Sequence, residues 1–304
     1  MTRISEQLVC HDRFNYVKAE IEAVLARARD GDPQLLAVIG PPRGGKTKVV
    51  ETFLNEHQVS ASGRTREILG IVSPKHLTGR ALPDACLASL GMATEMFKNQ
   101  TTATDAFIKV VKRSGTKLII FDETQHMLER GSSTTVRAAA DYLKALFDQT
   151  GASIVLVGLP ALIGLFQANE QLADRARRPI EYFPYRWEGS DYKSFRSALA
   201  GALEYLLENS WETFDCKDSE FARRMYVASA GRYGIINKLF MEVQSMVRST
   251  SNKVASYREF SQAYEKTIIG RFIDFNPFDL TVEIKPEHMA LVYMKVMQEV
   301  GVEV

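Results

Sequence analysis

Hydrophobic and polar positions along this chain change period twice. From Phe14 to Ala28, apolar side chains recur at Phe14, Val17, Ile21, Val24 and Leu25, a helical stripe that ends at Asp30-Gly31-Asp32-Pro33. The next apolar positions are largely contiguous: Leu35 to Ile39, Glu67 to Val72, Lys117 to Phe121, Ala152 to Val157 and Ile180 to Phe183. Short apolar runs bounded by turn residues are the mark of strands buried on both faces. Helical segments separate them. One runs from near Gly45 to about Glu56, two lie near Leu82 to Leu90 and Thr104 to Lys112, and one spans about Thr134 to Gln149, with Val136, Ala139, Leu143, Leu146 and Phe147 on one face. A further helix starts near Pro160 and runs toward Arg177. Alternation at this spacing predicts an α/β fold, a parallel sheet of five strands with helices on both faces.

Past Arg186-Trp187 no strand-like run recurs for a long stretch, and helical stripes take over. Tyr192, Phe195, Leu199, Leu203 and Leu206 form one; Phe221, Met225 and Ala228 another; Ile235, Ile236, Leu239, Phe240, Val243 and Met246 a third. The pattern divides the chain into an N-terminal helix leading into the core (1–33), a sheet domain (34–186), a small all-helical lid (187–270) and a short C-terminal tail (271–304). The tail mixes a possible strand from Leu280 to Ile284 with a short helix after Pro286.

The first apolar run is followed directly by Gly40-Pro41-Pro42-Arg43-Gly44-Gly45-Lys46-Thr47, a complete G-x-x-x-x-G-K-[ST] pattern. Glycines let such a loop curl until successive backbone N–H groups face phosphate oxygens, and the following helix adds the positive end of its dipole. Gly40, Pro42, Arg43, Gly44, Gly45, Lys46, Thr47 and Lys48 are therefore the nucleotide-binding candidates, with Lys46 reaching the β- and γ-phosphates and the Thr47 hydroxyl offered to Mg²⁺. The third run ends in Asp122-Glu123. In a parallel sheet, sites form beyond the carboxyl ends of the strands. Asp122 is thus the second magnesium candidate, and Glu123 the base that orients and deprotonates a water attacking ATP. His126 follows these acids closely but has no metal-like ligand arrangement around it, and is not read as a site residue.

Composition narrows the classes. At 304 residues and 45% hydrophobic content the chain can bury a large α/β core plus a helical unit. No run of eighteen apolar residues occurs, and MTRISEQLVCHDRF lacks the apolar segment of a secretory signal, so a bacterial, cytoplasmic protein with no membrane association is expected. The three cysteines, Cys10, Cys86 and Cys216, stand far apart with no C-x-x-C spacing, which indicates neither a disulfide framework nor a zinc site. With 38 basic and 37 acidic side chains there is no global field, and any contact with nucleic acid must come from a local patch.

A P-loop sheet domain followed by a helical lid resembles the AAA+ ATPases. In that family a neighbouring subunit inserts an arginine carried by the helix before the fifth strand. The matching stretch here is Gln171-Leu172-Ala173-Asp174-Arg175-Ala176-Arg177-Arg178-Pro179-Ile180, which makes Arg175 the candidate, with Arg177 and Arg178 as substitutes. A guanidinium facing the charge that spreads over the γ-phosphoryl oxygens can contribute on the order of 10³ to 10⁵ in rate. Two family features are poorly matched. The fourth strand ends Val157-Gly158-Leu159-Pro160, without the polar sensor residue that many members place there, and the lid reads Gly231-Arg232-Tyr233-Gly234, where Arg232 stands in for a sensor arginine. Slow hydrolysis, suited to a switch more than a motor, is expected.

Within AAA+ the chain resembles the TnsC/TniB family of DNA transposition regulators. The likeness rests on Leu36-Ala37-Val38-Ile39-Gly40 after a leader helix, on Ile119 to Leu128, on Ile154 to Pro160, on Gln171-Leu172 before the arginines and on Asn276-Pro277-Phe278 after the lid. It implies an ATP-dependent homo-oligomer, a ring or helical filament around duplex DNA, that recruits a transposase and a target-selector protein. Subunits of such an assembly need phosphate-facing donors, and sequence reading is not expected because aromatic interleaving is absent. Candidates after the second strand are Lys75, His76, Thr78 and Arg80; after the third, Arg130, Ser132, Ser133 and Thr134. Lys109, Lys112, Arg113 and Lys117 form a further basic cluster.

Other readings stay open at this point. A nucleotide-dependent AAA+ protein scaffold that binds no DNA is one. A secretion-type ATPase is another, although such proteins usually carry a membrane segment. A replication initiator or helicase loader is a third, although no helix-turn-helix or winged-helix pattern follows the lid.

Overall fold

The computed structural model describes residues 11–58, 66–75, 78–128, 133–247, 253–270 and 272–303. They group into two compact units. The first, the sheet unit, comprises residues 16–40 and 46–182; the second, the helical unit, comprises residues 11–15, 41–45 and 183–303.

In chain order the elements are α1 (Asp12–Arg29), β1 (Leu35–Ile39), α2 (Lys46–Gln58), β2 (Ile68–Val72), α3 (Ala81–Ser89), α4 (Gln100–Ser114), β3 (Leu118–Asp122), α5 (Ser133–Thr150), β4 (Ser153–Gly158), the short helices α6 (Gly164–Ala168) and α7 (Glu170–Ala173), β5 (Ile180–Glu181), α8 (Gly189–Glu208), α9 (Ser219–Ser229), α10 (Tyr233–Val247), α11 (Tyr257–Thr267) and α12 (Pro286–Glu299). The five strands form one sheet in the order β2-β3-β4-β1-β5, every pair parallel. Each residue of β1, β3 and β4 is buried, which is why these strands read as unbroken apolar runs. The register sets Ile39 opposite Gly158 and Val72 opposite Asp122, so the chemistry-bearing residues gather at the carboxyl ends.

The predicted helix from Pro160 toward Arg177 is broken. A 3-10 turn at Pro160–Ile163 leads into α6, and Asn169, in an extended conformation, then caps α7 through its side-chain oxygen on the Leu172 N–H at 2.9 Å. An asparagine that offers the backbone a side-chain acceptor favours a restart over a continuous helix. The fifth strand stops at Glu181, short of the expected Phe183.

In the helical unit, α8 to α12 share one core, with Phe195, Phe221, Phe240, Phe260, Tyr264 and Val292 fully or almost fully buried. Helix α11 carries too short an apolar stripe to stand out by periodicity. Its signal is the capping box Ser256-x-x-Glu259, followed by Phe260, Ala263 and Tyr264 on one face. Residues 280–284, expected as a strand, form turns and irregular chain instead. One of their backbone carbonyls, that of Val282, and two just before them are used by a side chain. Arg224, 4% exposed on α9, donates to the carbonyl oxygens of Pro277 (2.8 Å), Asp279 (2.8 Å) and Val282 (3.0 Å), and to Glu220 Oε1 at 2.7 Å. Phe278, Met289, Val292 and Val296 carry the residues read as a tail into the core formed by α8 to α11.

Candidate functional site

The phosphate loop begins where β1 leaves the sheet. A Cβ at Gly40 would lie 2.2 Å from the Tyr182 carbonyl oxygen, so only glycine lets β1 exit beside β5. Arg43 (φ 60°) and Gly45 (φ 109°) take left-handed backbone conformations, the alternation that curls a loop and turns its N–H groups to one side. Lys46 opens α2, and its ammonium donates to the Gly40 carbonyl at 2.8 Å, across the base of the loop. Burial lowers the Lys46 pKa to about 8, against the pull of the Glu123 and Asp122 carboxylates. A desolvated cation of this kind is poised for an anion.

Asp122, 7% exposed, ends β3. Burial raises its pKa, opposed by hydrogen bonds from the Thr47 hydroxyl and from the backbone of Glu123, whose N–H lies 2.8 Å from Oδ1. A hydroxyl set against a carboxylate is an all-oxygen donor pair of the type magnesium takes, completed by water and phosphate oxygens. The fit therefore holds for the residues present. Glu123 itself sits in the left-handed region (φ 54°, ψ 35°), an uncommon conformation for a residue with a Cβ and one that clusters at functional sites. Its carboxylate Oε2 accepts from Gln125 Nε2 and lies 3.7 Å from His126 Nε2.

The other candidates separate. Arg175 is engaged within its own chain, its Nε and Nη2 on the two carboxylate oxygens of Asp148 at 2.7 and 3.0 Å. Arg177 pairs with Glu20 at 3.2 Å, whereas Arg178 is exposed with no ion pair among the described residues. In the helical unit, the Arg232 guanidinium lies over the Phe272 ring (5.2 Å to its centroid) and donates from Nε to the Ser229 carbonyl at 3.1 Å. Burial lowers its pKa to about 10, Glu299 opposing and Arg43 adding to the shift. Gly234, at the start of α10, abuts Arg43 so closely that a Cβ would lie 2.3 Å from the Arg43 carbonyl oxygen.

The basic residues proposed for DNA fall at two ends of the sheet. Lys75 is exposed just past the carboxyl end of β2, and Arg80, near it in sequence, is bound to Asp84 at 3.0 Å and to the Thr94 carbonyl. Lys112 and Arg113 lie in the last turn of α4, which leads into the amino end of β3. There, Thr116 and Lys117 bond to the carbonyls of Arg66 and Glu67 at the start of β2. One loop cluster cannot contain both pairs. His76 and Arg130, with Ser132, lie outside the described residues.

The family profile described as bacterial TniB protein matches residues 2–183. The chain belongs to the TniB family. No curated protein matches it by sequence. Solved structures similar to this TniB-family chain include the Aeropyrum pernix ORC1 protein in complex with DNA, 14% identical, with a TM-score of 0.59 over 97% of this chain and 80% of that one. Cdc6p from Pyrobaculum aerophilum is 10% identical, with a TM-score of 0.60 over 95% and 81%. The Aeropyrum pernix ORC2 protein, solved with ADPNP and ADP, is 13% identical, with a TM-score of 0.59 over 83% and 67%. At this identity the likeness shows the fold, a P-loop AAA+ core with a helical lid. No helix among the described residues is long and apolar enough to cross a membrane.

Proposed function

We propose that this chain is a Mg²⁺-dependent ATPase of the AAA+ class that assembles with ATP on duplex DNA and marks that DNA for a transposase. The observation that carries the nucleotide part is the set Lys46, Thr47 and Asp122: a partly desolvated cation on a phosphate loop, beside a hydroxyl hydrogen-bonded to a buried carboxylate. Lys46 binds the β- and γ-phosphates, and Glu123 takes the proton of the attacking water. Mg²⁺ held by Thr47 and Asp122 would neutralise charge on the phosphate oxygens. Membership in the TniB family, whose members resemble regulators of DNA transposition, supports the target-marking role, and one protein of the same fold was solved with DNA.

Arg175 is the proposed trans arginine, released when its pair with Asp148 opens, and Arg178 is the substitute already exposed. Arg232 is the lid candidate for the triphosphate. Lys75 and Arg80 are the proposed backbone contacts on the carboxyl-end side, with His76 and Arg130; Lys112 and Arg113 would need a second DNA path. The transposase and the target-selector protein complete the assembly.

Electron microscopy with ATP or a slow analogue, with and without duplex DNA, tests the reading beside Glu123→Gln. Rings or filaments that need both ATP and DNA are expected, with Lys75→Ala and Arg80→Ala weakening DNA binding and its salt dependence. Nucleotide binding without DNA-dependent assembly would overturn the transposition reading. Steady-state turnover well above about 10 s⁻¹ would count against a switch.

A further inference from the structure

β4 ends without a polar side chain, yet the space beside Glu123 contains one. Gln125, 6% exposed on the turn after β3, accepts at Oε1 from the Leu159 N–H at 3.1 Å and donates from Nε2 to Glu123 Oε2. The N–H of Leu159 can only donate, so it fixes which end of the amide faces β4 and leaves the NH₂ group for the carboxylate. Gly158 makes the arrangement possible: a Cβ there would lie 2.7 Å from Gln125 Oε1 and 3.1 Å from the Gln125 backbone nitrogen. The carbonyl of that same Gly158–Leu159 peptide accepts from the Gly40 N–H at 3.1 Å, and the Gly40 carbonyl holds Lys46 at 2.8 Å. One path of hydrogen bonds thus runs from the phosphate lysine through Gly40, the end of β4 and the Gln125 amide to the carboxylate of Glu123.

We propose that Gln125 is the positioning residue for Glu123, holding Oε2 so that Oε1 faces the attacking water and tying that orientation to the base of the phosphate loop through the Gly158–Leu159 peptide. The glycine at the end of β4 is then the opening through which a side chain from the neighbouring strand end does the aligning. A misalignment of the base by about 1 Å is enough to cost on the order of 10²-fold in rate. The inference rests on the reading of the chain as an ATPase with Glu123 as base.

The test compares the full unaltered chain with Gln125→Ala, Gln125→Glu and Gly158→Ala, in ATP, Mg²⁺ and duplex DNA. Single-turnover hydrolysis, the Kd of a fluorescent ATP analogue and the thermal midpoint are measured for each. Gln125→Ala is expected to lower the hydrolysis rate about 30-fold with Kd within about twofold. Gly158→Ala, which pushes the amide from the other side, should do the same, and the two losses should not add in the double variant. Gln125→Glu sets a second carboxylate against the base and should move the acid limb of the rate–pH profile upward by about one unit. A Gln125→Ala rate within about twofold of the unaltered chain, an unmoved profile, or a loss carried by Kd or the thermal midpoint would each overturn the assignment. If the unaltered chain binds ATP but never hydrolyses it, the ATPase reading fails and takes the role of Gln125 with it; turnover that ignores Gln125 removes only the inference.

Discussion

Each unit of this protein takes a cation out of water, Arg224 fully and Lys46 in part, and they treat it differently. In the helical unit, Arg224 is 4% exposed and is matched inside the chain, with a carboxylate and three backbone carbonyls on its guanidinium. In the sheet unit, Lys46 and Asp122 both titrate away from their charged forms because burial outweighs what surrounds them. A satisfied buried charge fastens a structure, whereas an under-compensated pair with opposite signs is matched from outside by an anion and a cation together. Burial alone would not distinguish the two. What distinguishes them is that at Lys46 and Asp122 desolvation is the largest influence on the charge and moves each pKa away from its ordinary value.

The largest test of this contrast is Glu123→Gln. It should lower the hydrolysis rate about 10³-fold, measured in a single turnover, while the Kd for ATP stays within about twofold. A parallel loss of binding would mean that the sheet unit uses Glu123 for affinity and not for chemistry.

Next is Arg224→Met, which strips the internal match from the helical unit. About 3 kcal/mol of stability should be lost as the carbonyls of Pro277, Asp279 and Val282 lose their donor. Both tryptophans, Trp187 and Trp211, lie in the helical unit, so their fluorescence in a urea titration reads that unit. An unchanged midpoint would show that the guanidinium fastens nothing.

The smallest effect is a proton. The Lys46 pKa of about 8 lies below the lysine's ordinary value, so above pH 8 the free protein loses a charge that the triphosphate needs. Binding must then take up a proton, about half of one per nucleotide at pH 8, and affinity falls as pH rises further. Titration calorimetry in buffers of different ionisation enthalpy measures the uptake. Lys46→Ala should abolish it and weaken binding about 100-fold. No uptake in the unaltered chain would return Lys46 to an ordinary exposed cation.

Much of the sheet unit was legible because both faces of β1, β3 and β4 are covered, which leaves an uninterrupted apolar run followed by the residues at the strand end. The loop could be read because its glycines answer to backbone geometry that few other residues satisfy. Where the pattern failed, the deciding partner lay far along the chain. Residues 280–284 alternate enough to resemble a strand, but the Val282 carbonyl, with those of Pro277 and Asp279 just before the segment, is taken by Arg224 on α9. Helix α11 has only Phe260, Ala263 and Tyr264 facing inward, so its cap was a stronger signal than its stripe. The role of Gln125 could not be read for a different reason: its partner is a backbone N–H just past β4, and its space exists because Gly158 has no side chain.

The helical unit also sets a schedule for synthesis. Its core is shared by α8 and by Val292 and Val296 of α12, and it includes residues 11–15, where His11 lies 2.9 Å from Tyr185 and Arg13 pairs with Asp191 at 2.6 Å. The strands of the sheet unit are all present once residue 182 has been made. On the ribosome the sheet can therefore close early, while the segment around His11 waits for a core that α12 completes.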